Sequence, residues 1–232
     1  MPRSMRQWLL SFIAIAISPV LSAVAEPRDA LAAALAKSAP NADARVLELA
    51  VGAMKCAVAH GMQRSPHLAI IDYSRPSTEP RLWVFDLLRK RLVFQELVAH
   101  GRNSGENYAR AFSNVNGSLQ SSLGLFRTLD TYNGSNGYSL RMDGLEAGIN
   151  DNALERAIVM HGAPYVNEQL AHKQGRVGRS WGCPAVSPGI ARHVIDTLKG
   201  GQFLFSYYPD QRWLASSRYL HCDALKTVAR ND

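Results

Sequence analysis

Three short segments constrain the fold of this chain more than any other feature, because each has the length and composition of a β-strand. They are rich in β-branched and aromatic side chains, and turn-forming residues separate them. The segments are residues 68–73, 81–86 and 92–98, and the Leu-Arg-Lys-Arg sequence at 88–91 is short enough for a hairpin turn. We therefore expect a β-rich domain to begin near residue 65.

The remaining elements follow the same reasoning. Residues 157–160 and 203–208 have the composition of buried strands, whereas the Gly, Ser and Asn residues frequent in 101–152 predict turns over short strands. A helix is predicted after Ser187, where a proline occupies the first turn, and glycine ends it at Gly200. The predicted fold class is mostly β (α+β).

A helical segment precedes the strands. Apolar residues recur at steps of three and four over 46–58, which indicates an amphipathic helix that ends at Gly61. A proline break lies upstream, and Asn41 or Asp43 is suited to cap the helix. We expect an N-terminal helical segment over residues 26–64.

The first 25 residues have the pattern of a secretory signal peptide. Arg3 and Arg6 precede the uncharged residues 7–25, which contain a short apolar run and end in Ala-Val-Ala. An uncleaved anchor is the alternative, and Pro19 together with the cleavage pattern argues against it. We expect cleavage after Ala25, export to the periplasm, and no stable membrane association afterwards.

Composition narrows the class further. The chain of 232 residues is 47% hydrophobic and 19% charged, which excludes a disordered tail, a collagen-like fibre and a multi-span membrane protein. A net charge of +7 suits an anionic polymer or envelope surface. Export makes nucleic acid an unsuitable partner.

The residues that could take part in catalysis lie mainly between positions 160 and 188. Cys183 lies between Gly182 and Pro184 in a turn just before the predicted helix, where backbone amides favour a thiolate. His161 follows a predicted strand and is the best-placed base for that thiol. We expect the two side chains to meet across an open groove, with the amides near Gly182 facing a developing oxyanion.

Three other interpretations of these residues remain open. Cys183 and His161 are also compatible with a buried structural thiol and a core histidine. A zinc site with His172 lacks closely spaced ligand pairs. The sequence from 178 to 182 matches the G-x-S-x-G elbow of serine hydrolases, with Ser180 as nucleophile, but polar residues stand where a buried strand should precede it.

The sequences His-Gly-Ala-Pro-Tyr at 161–165 and Ser-Trp-Gly-Cys-Pro-Ala-Val-Ser-Pro at 180–188 resemble the YkuD-like L,D-transpeptidases of bacterial cell walls. The resemblance runs roughly over residues 68–208. It is closest to the variant subgroup of murein L,D-transpeptidase catalytic domain proteins. It implies a β-sandwich-like catalytic domain, over residues 65–232, that acts on peptidoglycan stem peptides.

The resemblance also implies roles for individual residues. Cys183 attacks a stem carbonyl to form a thioester, and His161 takes the thiol proton and later that of the incoming amine. Family members orient this histidine through a backbone carbonyl. The remaining candidates are oxyanion or pocket residues and substrate walls: Gly162, Arg179, Ser180, Trp181 and Gly182 for the pocket, and Tyr138 and Tyr165 for the walls.

Two departures from the family pattern leave the donor open. Trp181 stands in place of the usual histidine, and Ala185 in place of the usual Asn or Arg. The donor is therefore either diaminopimelate at stem position 3 or L-Ala at position 1, with a diaminopimelate amine as acceptor. An L,D-carboxypeptidase or endopeptidase with the same Cys-His site, and a wall-binding module without activity, are the alternatives.

Nothing in the sequence requires a metal or an organic cofactor. If Cys183 stays reduced, Cys56 and Cys222 are left to form a disulfide, although the sequence does not determine whether they lie close enough.

Overall fold

The structure is a computed structural model that describes residues 29–222. Helices precede, interrupt and follow the strands along the chain. In chain order the elements are α1 (Ala30–Ser38), α2 (Ala44–Ala59), β1 (His67–Asp72), β2 (Leu82–Asp86), β3 (Arg91–Glu96), β4 (Gly124–Gly134), β5 (Gly137–Gly144), β6 (Val159–Gly162), α3 (Glu168–Gln174), β7 (Ala185–Val186), α4 (Pro188–Leu198), β8 (Phe203–Tyr207) and α5 (Gln211–Ser216).

The eight strands described form one continuous sheet in the order β3-β2-β1-β8-β4-β5-β6-β7. Two neighbouring pairs are parallel, β1 with β8 and β6 with β7, and the others are antiparallel. The predicted mostly β fold, with helices before the sheet and after Cys183, is confirmed.

Apolar burial holds the centre of the sheet together. All residues of β2 are buried, as are those of β1 after His67 and those of β8 before Tyr207. Phe205 of β8 is fully buried, and its ring lies 5.6 Å from the ring of Trp213 on α5. Burial of this kind stabilises a domain in proportion to the apolar area removed from water.

The N-terminal helices pack into the same core. Asp29 and Asp43 cap α1 and α2 through their carboxylates, which accept backbone N–H groups of the first turn. Leu35 and Leu47 are fully buried in the cluster that contains the sheet core. The expected signal peptide lies outside the described residues.

The glycine-rich stretch holds longer strands than expected. Strand β4 has eleven residues and forms a hairpin with β5, closed at the Gly134–Gly137 pair. Gly137 adopts φ 72°, a left-handed conformation that glycine takes without steric cost. The polar composition of the hairpin reflects the exposure of its tip.

Cys56 at the end of α2 forms a disulfide with Cys222, with a Cα–Cα distance of 5.5 Å. Cys183 is free. No helix among residues 29–222 combines the length and the apolar character that crossing a bilayer requires.

Candidate active site

Strands β6 and β7 bring the two principal candidates to the same edge of the sheet. His161 pairs with Ala185 in the parallel ladder, and its backbone N–H donates to Pro184 O at 3.4 Å. Cys183 therefore lies beside β6, within two residues of the position paired with His161. The 21 residues between them in the sequence include α3.

The Cys183 sulfur occupies a buried polar environment. The residue is 8% exposed and belongs to neither hydrophobic cluster of the described chain. Its Sγ accepts from Val159 N at 3.5 Å and donates to Ala157 O at 3.6 Å. The sulfur is thus less open than the expected groove, and its hydrogen-bonding contacts are to backbone groups of residues 157 and 159.

Burial raises the pKa of the Cys183 thiol, because a thiolate loses solvation there. Three groups act in the opposite direction: the Val159 amide, the charge of Arg156, and the backbone amide of Cys183 itself. Ala157, whose carbonyl accepts the thiol hydrogen, adopts φ 53°, a left-handed conformation unusual for a residue with a Cβ.

The His161 imidazole is held as a neutral base. Its Nδ1 lies 3.0 Å from Gly162 O, and a carbonyl oxygen only accepts, so the proton is on Nδ1 and the lone pair on Nε2. The side chain is buried, and burial lowers the pKa of the imidazole. Within residues 29–222 no hydrogen bond joins this ring to the Cys183 thiol, whose bonds are those to Ala157 and Val159.

Ser180 and Gly182 shape the turn that carries the sulfur. Ser180 Oγ donates to Cys183 O at 2.6 Å and accepts from Gly182 N at 3.1 Å. The hydroxyl proton of Ser180 is therefore committed, and the residue is buried, so its geometry does not suit a nucleophile. A Cβ on Gly182 would lie 2.7 Å from Gln120 O, so only glycine fits the turn without a shift.

Of the remaining candidates, Tyr165, predicted to be a substrate wall, lies near the sulfur. Burial, and then the Cys183 charge, raise the pKa of its phenol to about 12. Arg179 instead braces the segment at 102–106, donating to Gly105 O at 3.0 Å and Glu106 Oε1 at 2.7 Å. Trp181 is 72% exposed beside the turn.

Tyr138 and Gly162 face α4, on the other side of β5 and β6 from His161. The Tyr138 hydroxyl donates to Asp196 Oδ1 at 2.7 Å, and a Cβ on Gly162 would lie 2.9 Å from Ala191 Cβ. Gly162 contributes its carbonyl to His161, whereas the structure does not bring Tyr138 to the sulfur. Side-chain alternation accounts for this, since Ser139 is the residue of β5 that pairs with His161.

A buried polar network behind the turn was not predicted. Arg81 is fully buried and donates to Val98 O through Nε at 3.0 Å and to His100 Nδ1 through Nη2 at 2.7 Å. Because arginine only donates, His100 Nδ1 accepts and its Nε2–H donates to Gly105 O. Burial, and then the charge of Arg81, lower the pKa of His100 to about 3.

This network reaches the nucleophile turn through the backbone. Ser180 N donates to His100 O at 2.9 Å, and Ser121 Oγ donates to Gly182 O at 3.1 Å while it accepts from Gly101 N at 3.0 Å. The turn is therefore fixed from behind by buried polar groups.

Arg156 is the second group that the sequence reasoning missed. It is half-buried just before β6 and donates to Gln120 O at 2.7 Å and to Ser122 Oγ at 2.5 Å. The one sequence signal for Arg156 is its position directly before the predicted buried strand that leads to His161.

One cluster of potential metal ligands exists in the described part of the chain, formed by Cys56, His60 and Cys222. The two sulfurs are joined in the disulfide, so they carry no thiolate charge for a cation.

Solved L,D-transpeptidases align with the chain at low similarity. One from Mycobacterium smegmatis is 13% identical with a TM-score of 0.40, over 62% of this chain and 59% of that one. Another, from Stackebrandtia nassauensis, is 12% identical with a TM-score of 0.38, over 75% of this chain and 74% of that one. The chain thus spans less than two thirds of the first of these. No curated protein matches the sequence.

The sequence matches the L,D-transpeptidase catalytic domain over residues 38–207. This range is more than half of the chain, begins at the end of α1, and contains both His161 and Cys183. The chain therefore belongs to the family of L,D-transpeptidase catalytic domains.

Proposed function

We propose that this protein is a cysteine L,D-transpeptidase that cross-links peptidoglycan peptide stems in the periplasm. The observation that carries the proposal is the neutral His161, whose Nε2 lone pair is free, on the strand beside Cys183. A neutral imidazole is the form that accepts a proton from a thiol. Membership of the family supplies the substrate class.

The proposed reaction has two halves. Nε2 of His161 takes the thiol proton, Sγ of Cys183 attacks the stem carbonyl, and the leaving amine departs with that proton as the thioester forms. The acceptor amine then gives a proton to Nε2 and attacks the thioester, which restores the thiol and forms the new amide. The sulfur leaves its contact with Ala157 O before attack.

We assign the oxyanion to the backbone N–H of Cys183. The other backbone amide of the turn, that of Gly182, already donates to Ser180 Oγ, so it is less suitable for this role. The Cys183 amide favours the thiolate in the resting enzyme and is released from that interaction once the sulfur is acylated. Tyr165 is the proposed wall on the sulfur side.

The donor remains one of two stem bonds, after diaminopimelate at position 3 or after L-Ala at position 1. The exposed Trp181 and the apolar Ala185 provide neither a cation nor a side-chain amide to bind a stem carboxylate, unlike the Arg or Asn of the usual motif. A thioester that water hydrolyses gives the carboxypeptidase or endopeptidase instead.

Incubation of purified protein with muropeptides tests the proposal. Wild type should give cross-linked dimers and a thioester adduct by mass spectrometry, and the fragment masses identify the donor bond. Cys183→Ala should lose activity by at least about a thousandfold, because no other group supplies the nucleophile.

Two histidine variants provide the matched comparison. His161→Asn should lose most activity, whereas His172→Asn, on the exposed face of α3, should retain it. Full activity of Cys183→Ala rules out the proposal, and product that forms only as hydrolysed stems, with acceptor present, replaces it with the hydrolase.

Export is proposed from the N-terminal sequence. The mature chain should begin at Glu26 in the periplasmic fraction, leaving the helical segment and the catalytic domain together. Determination of the N-terminal residue by mass spectrometry checks this, and an intact N-terminus in the membrane fraction contradicts it.

A further inference from the structure

Arg156 makes an unusual set of contacts for a half-buried arginine. Nη1 donates to Ser113 O and Ser122 Oγ, both at 2.5 Å, and Nη2 donates to Ser118 Oγ at 3.1 Å and Gln120 O at 2.7 Å. Four of the five guanidinium N–H donors are therefore used on a single loop at 113–122. The side chain is held in one place by the backbone and hydroxyls of that loop.

This position is next to the nucleophile. The Gln120 carbonyl that binds Nη2 is the same oxygen that lies 2.7 Å from the Cβ position of Gly182. On the other side, the Cys183 thiol contacts the carbonyl of Ala157, the residue that follows Arg156 in the chain. The guanidinium and the sulfur are thus linked through Gln120 and Gly182 on one side and through the backbone of Ala157 on the other.

The charge of Arg156 is not neutralised by a carboxylate. Among residues 29–222 its partners are carbonyls and hydroxyls, and no Asp or Glu forms an ion pair with it. A half-buried cation without a counter-ion attracts any negative charge that develops nearby. The thiolate of Cys183 is such a charge: burial raises the pKa of Cys183 and lowers that of Arg156, and the attraction between the two groups opposes both shifts.

We propose that Arg156 is a positioning residue whose fixed positive charge, held by the loop at 113–122, stabilises the thiolate form of Cys183. The inference rests on the proposed function, because it gives a reason for the nucleophile to ionise although it is buried. With no negatively charged partner, the guanidinium offers its full charge to the sulfur. His161 is neutral and supplies no such charge in the resting state.

A role in binding a substrate carboxylate is the competing interpretation, and the contacts disfavour it. Recognition of a carboxylate by arginine uses two parallel N–H donors. Both Nη atoms of Arg156 already donate twice, and Nε is the one group left.

The other titratable groups around the sulfur do not replace Arg156. Burial, and to a smaller extent the Cys183 charge, raise the pKa values of Tyr73 and Tyr165. Both side chains therefore remain neutral phenols near neutral pH. His161 has a lowered pKa and is neutral as well. Among the described residues, Arg156 is thus the cation whose charge acts on the thiolate.

The pH dependence of alkylation by iodoacetamide tests this inference without any substrate. Cys183 is the one cysteine of three that remains outside the disulfide, so mass spectrometry of the unreduced protein should find a single label. The midpoint of the rate profile between pH 7 and 11 reports thiolate formation. R156Q should move the midpoint upward by half a unit or more, which is about a threefold loss of thiolate at neutral pH.

Two further variants separate charge from loop structure. R156K keeps the cation and should stay near the wild-type midpoint, although it cannot reproduce all four contacts. Arg179→Gln is the matched control, since Arg179 also braces a loop at the site but does not act on the Cys183 thiol, and its midpoint should not move.

An unchanged midpoint in R156Q, or an equal shift in R156K and R156Q, overturns the inference. If R156Q does not fold, R156M decides, because it removes the charge and keeps a side chain of similar length. A midpoint that rises in R156M supports the inference, and a midpoint that stays at the wild-type value overturns it. Failure of the proposed function would appear instead as muropeptide activity in Cys183→Ala.

Discussion

The centre of the sheet and its β6-β7 edge are built by different interactions. Strands β1, β2 and β8 are buried and apolar over most of their length. Strand β7 has two residues and β6 has four, and the turn between Ser180 and Cys183 is fixed by buried hydroxyls and backbone carbonyls. Apolar contacts tolerate small shifts, whereas hydrogen bonds define atomic positions within a few tenths of an ångström.

This division teaches where stability and reactivity reside. The apolar centre supplies most of the free energy of folding, because this free energy grows with the apolar area that is removed from water. The polar edge supplies little net free energy, but an unpaired group there costs more than the bond contributes. Substitutions in the two regions should therefore have separable consequences.

The largest effect on stability is expected at the centre. Phe205→Ala should lower the free energy of unfolding by about 3–5 kcal/mol, because it removes a fully buried ring and leaves a cavity beside Trp213. Urea denaturation measures this loss. The midpoint of Cys183 alkylation should stay constant in the folded variant, and a shift there would show that the two regions are not separable.

The next effect is a loss of stability in acid that depends on His100. Its pKa in the folded state is about 3, below the ordinary value of 6.5, so the unfolded chain binds the proton first as the pH falls. Stability is complete above about pH 6.5 and declines towards pH 3, with a loss of about 3 kcal/mol between pH 7 and pH 4.

Urea denaturation of wild type and His100→Gln at these two pH values isolates that contribution, because the carboxylates are common to both proteins. The difference between the two pH values should be smaller in the variant by about the same amount. Equal pH dependence in the two proteins would contradict the neutral, arginine-bound state of His100.

The smallest effect on stability should come from Ser121→Ala, with the larger consequence in reactivity. The variant loses the bond to Gly182 O and leaves Gly101 N without its acceptor, which should cost about 1–2 kcal/mol. The alkylation rate of Cys183 and transpeptidase activity should each fall by about tenfold, since small displacements of reacting atoms cost up to ~100-fold.

The ratio of transpeptidase rates between Ser121→Ala and Phe205→Ala tests the difference between the polar edge and the apolar centre most sharply. Activity at full folding should be lower in Ser121→Ala even though its stability is higher. The reverse order would mean that the polar edge does not position the sulfur.

Much of the fold was predictable from local sequence. The strands at 68–73, 81–86 and 203–208 agree with β1, β2 and β8 to within one residue at each end, because a short run of β-branched and aromatic residues bounded by turns is a local signal. The helix predicted after Ser187 is α4, although the Ser187 side chain makes no capping bond. The family membership followed from two short motifs.

The scaffold of the site was not predictable in the same way. Arg81, His100 and Arg156 are polar residues that composition assigns to the surface, but Arg81 and His100 are buried and Arg156 is half-buried. Arg156 binds groups between 34 and 43 residues away, and Ser121 binds Gly182 across 61 residues. Contacts at such separations depend on the order of strands in the sheet, which local patterns do not encode.

The disulfide has a consequence for how the chain matures. Cys183 lies between the two bonded cysteines, so as the chain is synthesised from its N-terminus the first pair to become available is Cys56 with Cys183, not the native pair. The sheet is complete only when β8 has entered between β1 and β4, fifteen residues before Cys222. Thiol exchange must therefore correct an early mispairing, or folding must shield the nucleophile within that short interval, after which its burial protects it from further oxidation.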